Sequence, residues 1–388
     1  MIISSLRTTC VDGWQRLTVE VVHEVASVPF ASLYIEVPEE FAPWLHTVYD
    51  PFAIACFVPA IAHRETRLAI DGELCPRVVD GLRVAMGWYA HWYGPRWAPL
   101  TIECGLRAQP LGSRDRPSSI FFSCGVDSLY SLRRLTALMP AQHPAAPRVA
   151  LFVIGYDLRK PIATEQALTN ARAAAAALGL TLVPIRSNIP SLDDDYELWT
   201  LQFGGPAFAA LAHALGRGIA RAWMGADCDI PNLVPWCNHP ATALEFSSFD
   251  VEIRQDGIEA TRAQKAGAIA DWDITSRFLR VCTKNPEHQL NCGRCEKCVR
   301  TRLELLAFGG TDAAQVFGGQ PLSAADILGI RIRVDSIYYQ EIIAPLLRQG
   351  RPDLVAAIED RKREWTRYKR WRARSGLRHR FGRLLGRE

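Results

Sequence analysis

Residues 118–138, SSIFFSCGVDSLYSLRRLTAL, contain the change of pattern that decides the fold. The apolar run Ile120-Phe121-Phe122 predicts a short buried strand, and a helical pattern from about residue 127 to 138 follows it after a glycine-containing turn. The first turn of a helix presents backbone N–H groups without partners and the positive end of the helix dipole, which suit an anion. This stretch therefore predicts a strand–turn–helix unit with an anion-binding turn.

The same alternation of short apolar runs and helical segments continues downstream. We predict buried strands at 149–154, 181–186 and 219–224, with helices at about 163–178 and 207–215 between them. Gly179 directly follows the first of these helices, at a position where a left-handed residue commonly ends a helix. Strands that alternate with helices predict an α/β fold, with a parallel sheet and helices on both faces.

The 388 residues of the chain are enough for two or three domains. Residues 17–22 and 32–37 alternate apolar and polar side chains as half-buried strands do, and the polar stretch 109–119 contains two prolines. We therefore predict a β-rich N-terminal domain over 1–115 and an α/β domain over 116–310. Helical patterns at 324–328 and 334–347 predict a helical C-terminal extension over 311–388.

Composition places the chain among folded globular proteins, because 48% of its residues are hydrophobic and 22% are charged. No run of about 18 apolar residues occurs, so we predict no membrane span. The first residues do not have the pattern of a signal peptide. Eleven cysteines in a chain without an export signal indicate a reducing cytoplasm, in which thiols bind metals, act in catalysis or are buried.

Four cysteines in the last third of the chain have the spacing of metal ligands. They are Cys282, Cys292, Cys295 and Cys298, which form the pattern C-x9-C-x2-C-x2-C. Four thiolates suit zinc in a closed tetrahedral site that leaves no position open for a substrate. The spacing therefore predicts a structural zinc site.

The loop Ser123-Cys124-Gly125-Val126-Asp127-Ser128 resembles the SGGxDS loop of the PP-loop ATP pyrophosphatases. Those enzymes cleave ATP between the α and β phosphates and adenylate a carbonyl oxygen. With the cysteine pattern about 155 residues later, residues 118–306 resemble the 7-cyano-7-deazaguanine synthase family. That family uses ATP and ammonia to convert a carboxylate on a deazapurine into a nitrile. The resemblance implies an adenine nucleotide alpha hydrolase-like fold, a small heterocyclic substrate, and ATP, magnesium and structural zinc as cofactors.

The resemblance also implies roles for individual residues. Gly155-Tyr156-Asp157 is similar to the stretch that holds adenine, and Gly225-Ala226-Asp227-Cys228-Asp229 is similar to the substrate loop of the family. The implied ATP-binding residues are Ser123, Cys124, Gly125, Val126, Asp127, Ser128, Tyr156 and Asp157. The implied catalytic residues are Cys124, Asp127, Asp227 and Asp229. Asp127 is also a candidate to hold magnesium, and His239 is a candidate to orient the substrate.

The chain departs from the family pattern at two informative positions. Cys124 stands where the family has its first glycine, and Asn238 stands where the family has an arginine. The nucleophile therefore remains open. Ammonia would give an amide or a nitrile, whereas a sulfur donor protein would allow thiolation through Cys124, since a thiol at a helix N-terminus is a good nucleophile. A third reading is a nucleotide-binding module without turnover.

The end of the chain is strongly basic. Residues 361–388 contain twelve Lys or Arg and two Glu, a net charge of +10, so the remaining residues carry +4 minus +10, or −6. Trp365, Tyr368, Trp371 and Phe381 lie among these basic residues, and arginine with aromatic side chains can bind nucleic acid. We favour a helix whose aromatic side chains pack and whose charges are solvated. A homodimer is the default oligomer.

Overall fold

The computed structural model describes residues 1–26, 31–110, 115–156, 160–282, 284, 286–310, 314–331 and 337–384. The chain forms two compact units, Met1–Thr261 and Arg262–Glu388. This division differs from the boundaries at 115 and 310 that the sequence suggested. The physical reason is that strands from the first 115 residues pair into the same sheet as the strands that follow them.

One sheet organises the first unit, and ten strands in the described part of the chain build it. They are β1 (Ile2–Val11), β2 (Trp14–Val22), β3 (Ala31–Pro38), β4 (Arg67–Leu74), β5 (Thr101–Leu106), β6 (Ser118–Phe121), β7 (Pro147–Ile154), β8 (Thr181–Ser187), β9 (Arg221–Gly225) and β10 (Glu252–Asp256). Their spatial order is β10-β9-β6-β7-β8-β3-β2-β1-β4-β5. The five strands from β10 to β8 are all parallel, which confirms the predicted parallel sheet.

Helices connect these strands and make up most of the second unit. In the first unit they are α1 (Asp50–Ala62), α2 (Pro76–Tyr93), α3 (Val126–Leu138), α4 (Pro161–Ala177), α5 (Tyr196–Leu198), α6 (Gly204–Ala214) and α7 (Pro240–Ala243). A π-helix, Trp199–Phe203, precedes α6. Short 3-10 helices lie at Glu39–Trp44, Pro95–Trp97, Ile189–Leu192, Ile230–Asn232 and Leu244–Phe246. Gly179 follows α4 with a left-handed φ of 67°, as predicted.

The order of the parallel strands creates a switch point. From β6 the chain moves outward through β7 to β8, and then returns to the other side of β6 to form β9 and β10. Because connections between parallel strands are right-handed, α3 and α4 lie on one face and α6 on the other. The loops after β6 and β9 therefore leave their adjacent strands toward opposite faces. In open α/β sheets the crevice at such a point is where ligands bind.

The first 115 residues are less purely β than the sequence suggested. β1 and β2 form a hairpin whose turn residues, Asp12 and Gly13, have φ of 50° and 75°, the two positive values that a type I′ turn requires. The same region contains α1 and α2. Residues 50–61 of α1 are all buried, and all of them except Asp50 at its start are apolar, so the helix shows no helical period.

A buried ion-pair network ties this region to the loop before β10. The Arg107 guanidinium donates to Asp50 at 2.7 Å and to Asp250 at 2.6 Å, and all three side chains are buried. Asp50 also accepts a hydrogen bond from the backbone N–H of Cys75. Nearby, burial lowers the pKa of His46 to about 4, against the opposing effect of the Asp250 charge. The network fixes segments that are far apart in the sequence.

The second unit is helical throughout most of its described residues. It contains α8 (Arg262–Ile269), α9 (Asp273–Phe278), α10 (Glu296–Ala307), α11 (Ala324–Leu328), α12 (Ile337–Arg348) and α13 (Pro352–Leu384), with a 3-10 helix at Ala314–Phe317. Val299, Leu303, Tyr339, Ile342 and Leu354 belong to its core. None of the described helices in either unit has the length and apolar composition needed to cross a membrane.

Candidate functional site

The loop between β6 and α3 turns sharply at Cys124. This residue has φ of 57°, and its side chain is 1% exposed. A left-handed backbone costs a residue with a Cβ about 1 kcal/mol or more. The position where the resemblance expects glycine therefore keeps the glycine-type backbone conformation, although a cysteine occupies it. Gly125 follows as the N-cap, and the buried Val126 begins α3.

Two serine hydroxyls lie at the start of α3. Ser123 Oγ accepts a hydrogen bond from the backbone N–H of Gly125 at 3.2 Å, and the Ser128 hydroxyl donates to the Gly125 carbonyl oxygen at 3.0 Å. The two Oγ atoms are 3.5 Å apart. Ser123 is exposed and Ser128 is buried. These hydroxyls and the positive end of α3 give the loop the chemistry of an anion-binding site.

The loop after β9 lies directly beside the start of α3. A Cβ placed on Gly225, the last residue of β9, would lie 3.1 Å from the backbone carbonyl carbon and oxygen of Asp127. This contact is tighter than ordinary packing, so the absence of a side chain at Gly225 allows the two segments to approach. The switch point therefore brings together the loop that contains Asp127 and the segment that begins at Gly225.

Asp227 is held in this arrangement by the loop 236–240. Asn238 Nδ2 donates to the Gly225 carbonyl oxygen at 3.2 Å and to the Asp227 carboxylate at 3.4 Å. The neighbouring Cys237 packs on the start of α6, where a Cβ on Gly205 would lie 1.9 Å from the Cys237 carbonyl oxygen. Burial, followed by the charge on Asp227, raises the pKa of the Cys237 thiol to about 12. Cys237 is therefore a neutral thiol at physiological pH.

The other residues that the sequence suggested have different surroundings. Asp229 is buried, and both of its carboxylate oxygens accept from Asn232 Nδ2 at 2.9 Å, so it stabilises a local turn. The buried Tyr156 follows β7, with its ring centroid 5.2 Å from that of Trp199 in the π-helix. Asp157 lies outside the described residues. Asp227, in contrast, is exposed.

Aromatic residues of α2 contact the same region, and the sequence had attached no chemistry to them. The Trp92 ring centroid lies 4.7 Å from that of His239, and the Tyr89 and Tyr93 hydroxyls donate to carbonyl oxygens of the π-helix. His239 Nδ1 accepts the backbone N–H of Ala241, and burial lowers the pKa of His239. This imidazole is therefore neutral near pH 7 and can present its other nitrogen as a donor.

The four predicted cysteine ligands come together in the second unit. Their sulfur atoms all lie within 4.8 Å of one another, with 4.0 Å between Cys282 and Cys295 and 3.9 Å between Cys292 and Cys298. Zinc–sulfur bonds of about 2.3 Å in a tetrahedron give sulfur–sulfur distances of about 3.8 Å. The cluster could therefore hold a metal such as zinc, and the structure brings the four predicted cysteines together.

The close approach of these thiols has an electrostatic consequence. Hydrogen bonds from Cys295 and then Cys298 lower the pKa of Cys282, and the hydrogen bond to Cys282 raises the pKa of Cys298. These hydrogen bonds favour the thiolate form of Cys282 and the protonated form of Cys298. A bound divalent cation would stabilise all four thiolates together.

Asn291 positions the metal cluster, and sequence reasoning missed it. Its Oδ1 accepts the backbone N–H groups of Val281 and Cys282 at 2.8 and 3.1 Å. Its Nδ2 donates to the carbonyl oxygens of Leu279 and Val316 at 2.8 and 3.0 Å. The fully buried amide therefore holds the segment of Cys282 beside that of Cys292. The sequence feature that could have indicated Asn291 is its position directly before the predicted ligand Cys292.

Comparisons of this chain with protein-family models, with curated proteins and with solved structures gave no significant match in any of the three. What the site binds must therefore be inferred from its own residues and their geometry.

Proposed function

We propose that the first unit binds ATP at the loop after β6 and adenylates a carbonyl or carboxylate oxygen of a small heterocyclic substrate. Pyrophosphate leaves when the substrate oxygen attacks the α-phosphorus, and a nitrogen nucleophile then displaces AMP. The observation that carries this proposal is the left-handed turn at Cys124, located at the switch point of the parallel sheet. Cys124 stands where the PP-loop ATP pyrophosphatases have a glycine, and its backbone keeps a conformation that favours glycine. The turn therefore supports the resemblance to that family.

The loop residues have separate roles in this proposal. Ser123 and the first turn of α3 bind the phosphates, and the buried Ser128 supports the Gly125 carbonyl that closes the turn. These groups stabilise negative charge as pyrophosphate departs, which is the main contribution that a protein makes to such a reaction. Tyr156 belongs to the wall on which adenine would lie, as the resemblance implies.

Magnesium is the cofactor that this chemistry calls for. Asp127 in the first turn of α3 and the exposed Asp227 supply carboxylate oxygens, the ligands that magnesium prefers in nucleotide sites. The ion would neutralise phosphate charge when it is bound. Asp227 is also the residue that we assign to orient the second substrate, because Asn238 holds it at the edge of the crevice.

The surroundings of Cys124 and Cys237 favour nitrogen over sulfur as the nucleophile. A thiol must be exposed and ionised to carry sulfur to a substrate. The side chain of Cys124 is 1% exposed, and the raised pKa of Cys237 keeps that thiol protonated. We therefore assign Cys124 a conformational role in the turn, and ammonia or an ammonia donor as the partner in the second step.

The test is product analysis with purified protein, ATP, magnesium and a panel of purines and deazapurine carboxylic acids, each with ammonium or with sulfide. We expect AMP and pyrophosphate to form with one substrate and with ammonium. Ser123→Ala should lower turnover, whereas Ser276→Ala is a matched control at a hydroxyl that bonds the Asp273 carbonyl within α9. ATP that binds without cleavage would indicate a binding module, and ATP that does not bind would overturn the nucleotide site.

A further inference from the structure

The helix α13 consists of two electrically different parts. In its middle, basic side chains pair with acidic ones one turn away. Lys362 bonds Glu359 at 2.8 Å, Arg363 bonds Asp360 at 3.4 Å, and Arg361 pairs with Glu364. We call residues 359–364 the paired segment of α13. Its charges largely compensate one another, so it offers little net attraction to an anion.

The following residues, 365–384, differ in composition, and we call them the basic segment of α13. They include no Asp or Glu, and eight of them are basic: Arg367, Lys369, Arg370, Arg372, Arg374, Arg378, Arg380 and Arg383. Twenty helical residues extend over about 30 Å, with successive residues about 100° apart. At this spacing the eight positions cover about two thirds of the helix circumference, and Tyr368 and Trp371 lie on the remaining third. The basic segment therefore has positive charge around most of the helix, beside an arc that carries two aromatic residues.

Three aromatic side chains follow one another along the start of the basic segment. The ring centroids of Trp365 and Tyr368 are 5.5 Å apart, and those of Tyr368 and Trp371 are 6.1 Å apart. Trp371, the last of the three, is 64% exposed. An exposed tryptophan at the end of a row of rings offers a flat surface on which a nucleic-acid base can stack.

We propose that the basic segment of α13 binds nucleic acid, with its arginines on phosphates and Trp371 on an unpaired base. The dense phosphate charge of a nucleic acid matches eight basic residues over this length. An anionic membrane is the less suitable partner, because a helix that lies on a membrane needs a separate apolar face. Here the apolar positions are not on one face. Tyr368 and Trp371 lie on the arc without basic residues, whereas positions 377, 381 and 384 lie elsewhere around the helix, among the basic positions.

The test is fluorescence anisotropy of the full-length protein with labelled single-stranded RNA, single-stranded DNA and duplex DNA of mixed sequence, at about 50 to 300 mM salt. We expect binding whose affinity falls steeply with salt. Arg367→Ala/Arg370→Ala should weaken binding about tenfold and reduce the slope of log affinity against log salt by roughly 2. Trp371→Ala should weaken binding to single strands by about fivefold or more, with a smaller effect on the duplex.

The matched control is Arg361→Ala/Arg363→Ala, which removes the same charge from the paired segment. We expect it to change the affinity less than about twofold. Equal effects of the two double variants would overturn the proposal, and so would the absence of binding at low salt. Binding to phosphatidylserine vesicles without binding to any oligonucleotide would also overturn it, in favour of a membrane surface. Circular dichroism of each variant checks that the helix is retained.

Discussion

The amide of Asn238 joins the end of β9 to the exposed carboxylate of Asp227, with hydrogen bonds to the Gly225 carbonyl at 3.2 Å and to Asp227 at 3.4 Å. This residue stands where the resembled family has an arginine. A neutral amide adds no positive charge beside this carboxylate, whereas an arginine would. In the proposed reaction, Asp227 is therefore available to orient a substrate that carries a donor group.

This relationship predicts the effect of Asn238→Ala. Without the amide, Asp227 loses its fixed direction, and we expect AMP formation to fall about tenfold, as the loss of a positioning contact commonly causes. ATP affinity should change little, because the loop after β6 is intact. AMP release and equilibrium ATP binding measure the two effects. Asn232→Ala, which removes a similar amide from Asp229, is the control, and an equal loss of ATP affinity and turnover would contradict the assigned role.

Substitutions at Cys124 test the backbone turn and the sulfur alternative together. Cys124→Gly removes a left-handed strain of about 1 kcal/mol and also a buried thiol, so we expect the free energy of unfolding to change by less than about 1 kcal/mol. Cys124→Val should destabilise the protein by about 1 to 3 kcal/mol, because a β-branched residue is poorly tolerated at positive φ. Denaturant unfolding measures both.

The variant Cys124→Gly also distinguishes the nitrogen route from the sulfur route. If Cys124 serves only the turn, Cys124→Gly should retain AMP formation with ammonium. A variant that binds ATP but no longer forms product would mean that the thiol takes part in the reaction, and it would support the sulfur route.

The buried amide of Asn291 predicts a specific weakness of the metal cluster. Asn291→Ala leaves two backbone donors and two backbone acceptors without their partner, and we expect a loss of about 2 to 4 kcal/mol in the free energy of unfolding. Zinc affinity should fall about 10- to 100-fold, as it does when supporting groups of metal ligands are removed. Zinc content after competition with a chelator is the measurement. The exposed Gln349→Ala is the control, and unchanged zinc retention in Asn291→Ala would contradict the role.

The buried His46 predicts how stability depends on pH. Its pKa in the folded protein is about 4, below the usual 6.5, because burial disfavours the charged imidazolium. The unfolded chain therefore binds more protons than the folded one between these values. Stability should be fully present above about pH 6.5 and decrease by up to about 3 kcal/mol as pH falls toward 4.

Urea unfolding at several pH values tests this dependence. His46→Gln should flatten it, whereas the exposed His143→Gln should leave it unchanged. Two further histidines, the half-buried His23 and the buried His213, also have lowered pKa values and will preserve part of the slope. An unchanged slope in His46→Gln would show that His46 does not contribute.

Much of the parallel half of the sheet followed from local pattern. The strands that became β7, β8 and β9 and the helices α3 and α4 were predicted at nearly their observed positions. A short apolar run between turn residues indicates a buried strand, and a longer helical pattern indicates a helix. The helix α1 was missed for the opposite reason. It is buried on every side, so its sequence has no period to detect.

The sequence did not predict which distant strands pair with each other. The contact of β3 with β8 joins residues about 150 positions apart and adds the first five strands to the sheet. Nothing in either strand specifies that partner, because the hydrogen-bonding groups of every backbone edge are alike.

By itself, the sequence determined the elements whose cause is local: the alternating strands and helices, the turn before α3, the spacing of the four cysteines and the charge of α13. Only the tertiary structure decided which side chains support those elements. Gly225 against Asp127, Trp92 against His239 and Asn291 beside Cys282 are contacts between segments that the fold brings together. Their energies come from distance and burial, which a sequence pattern does not encode.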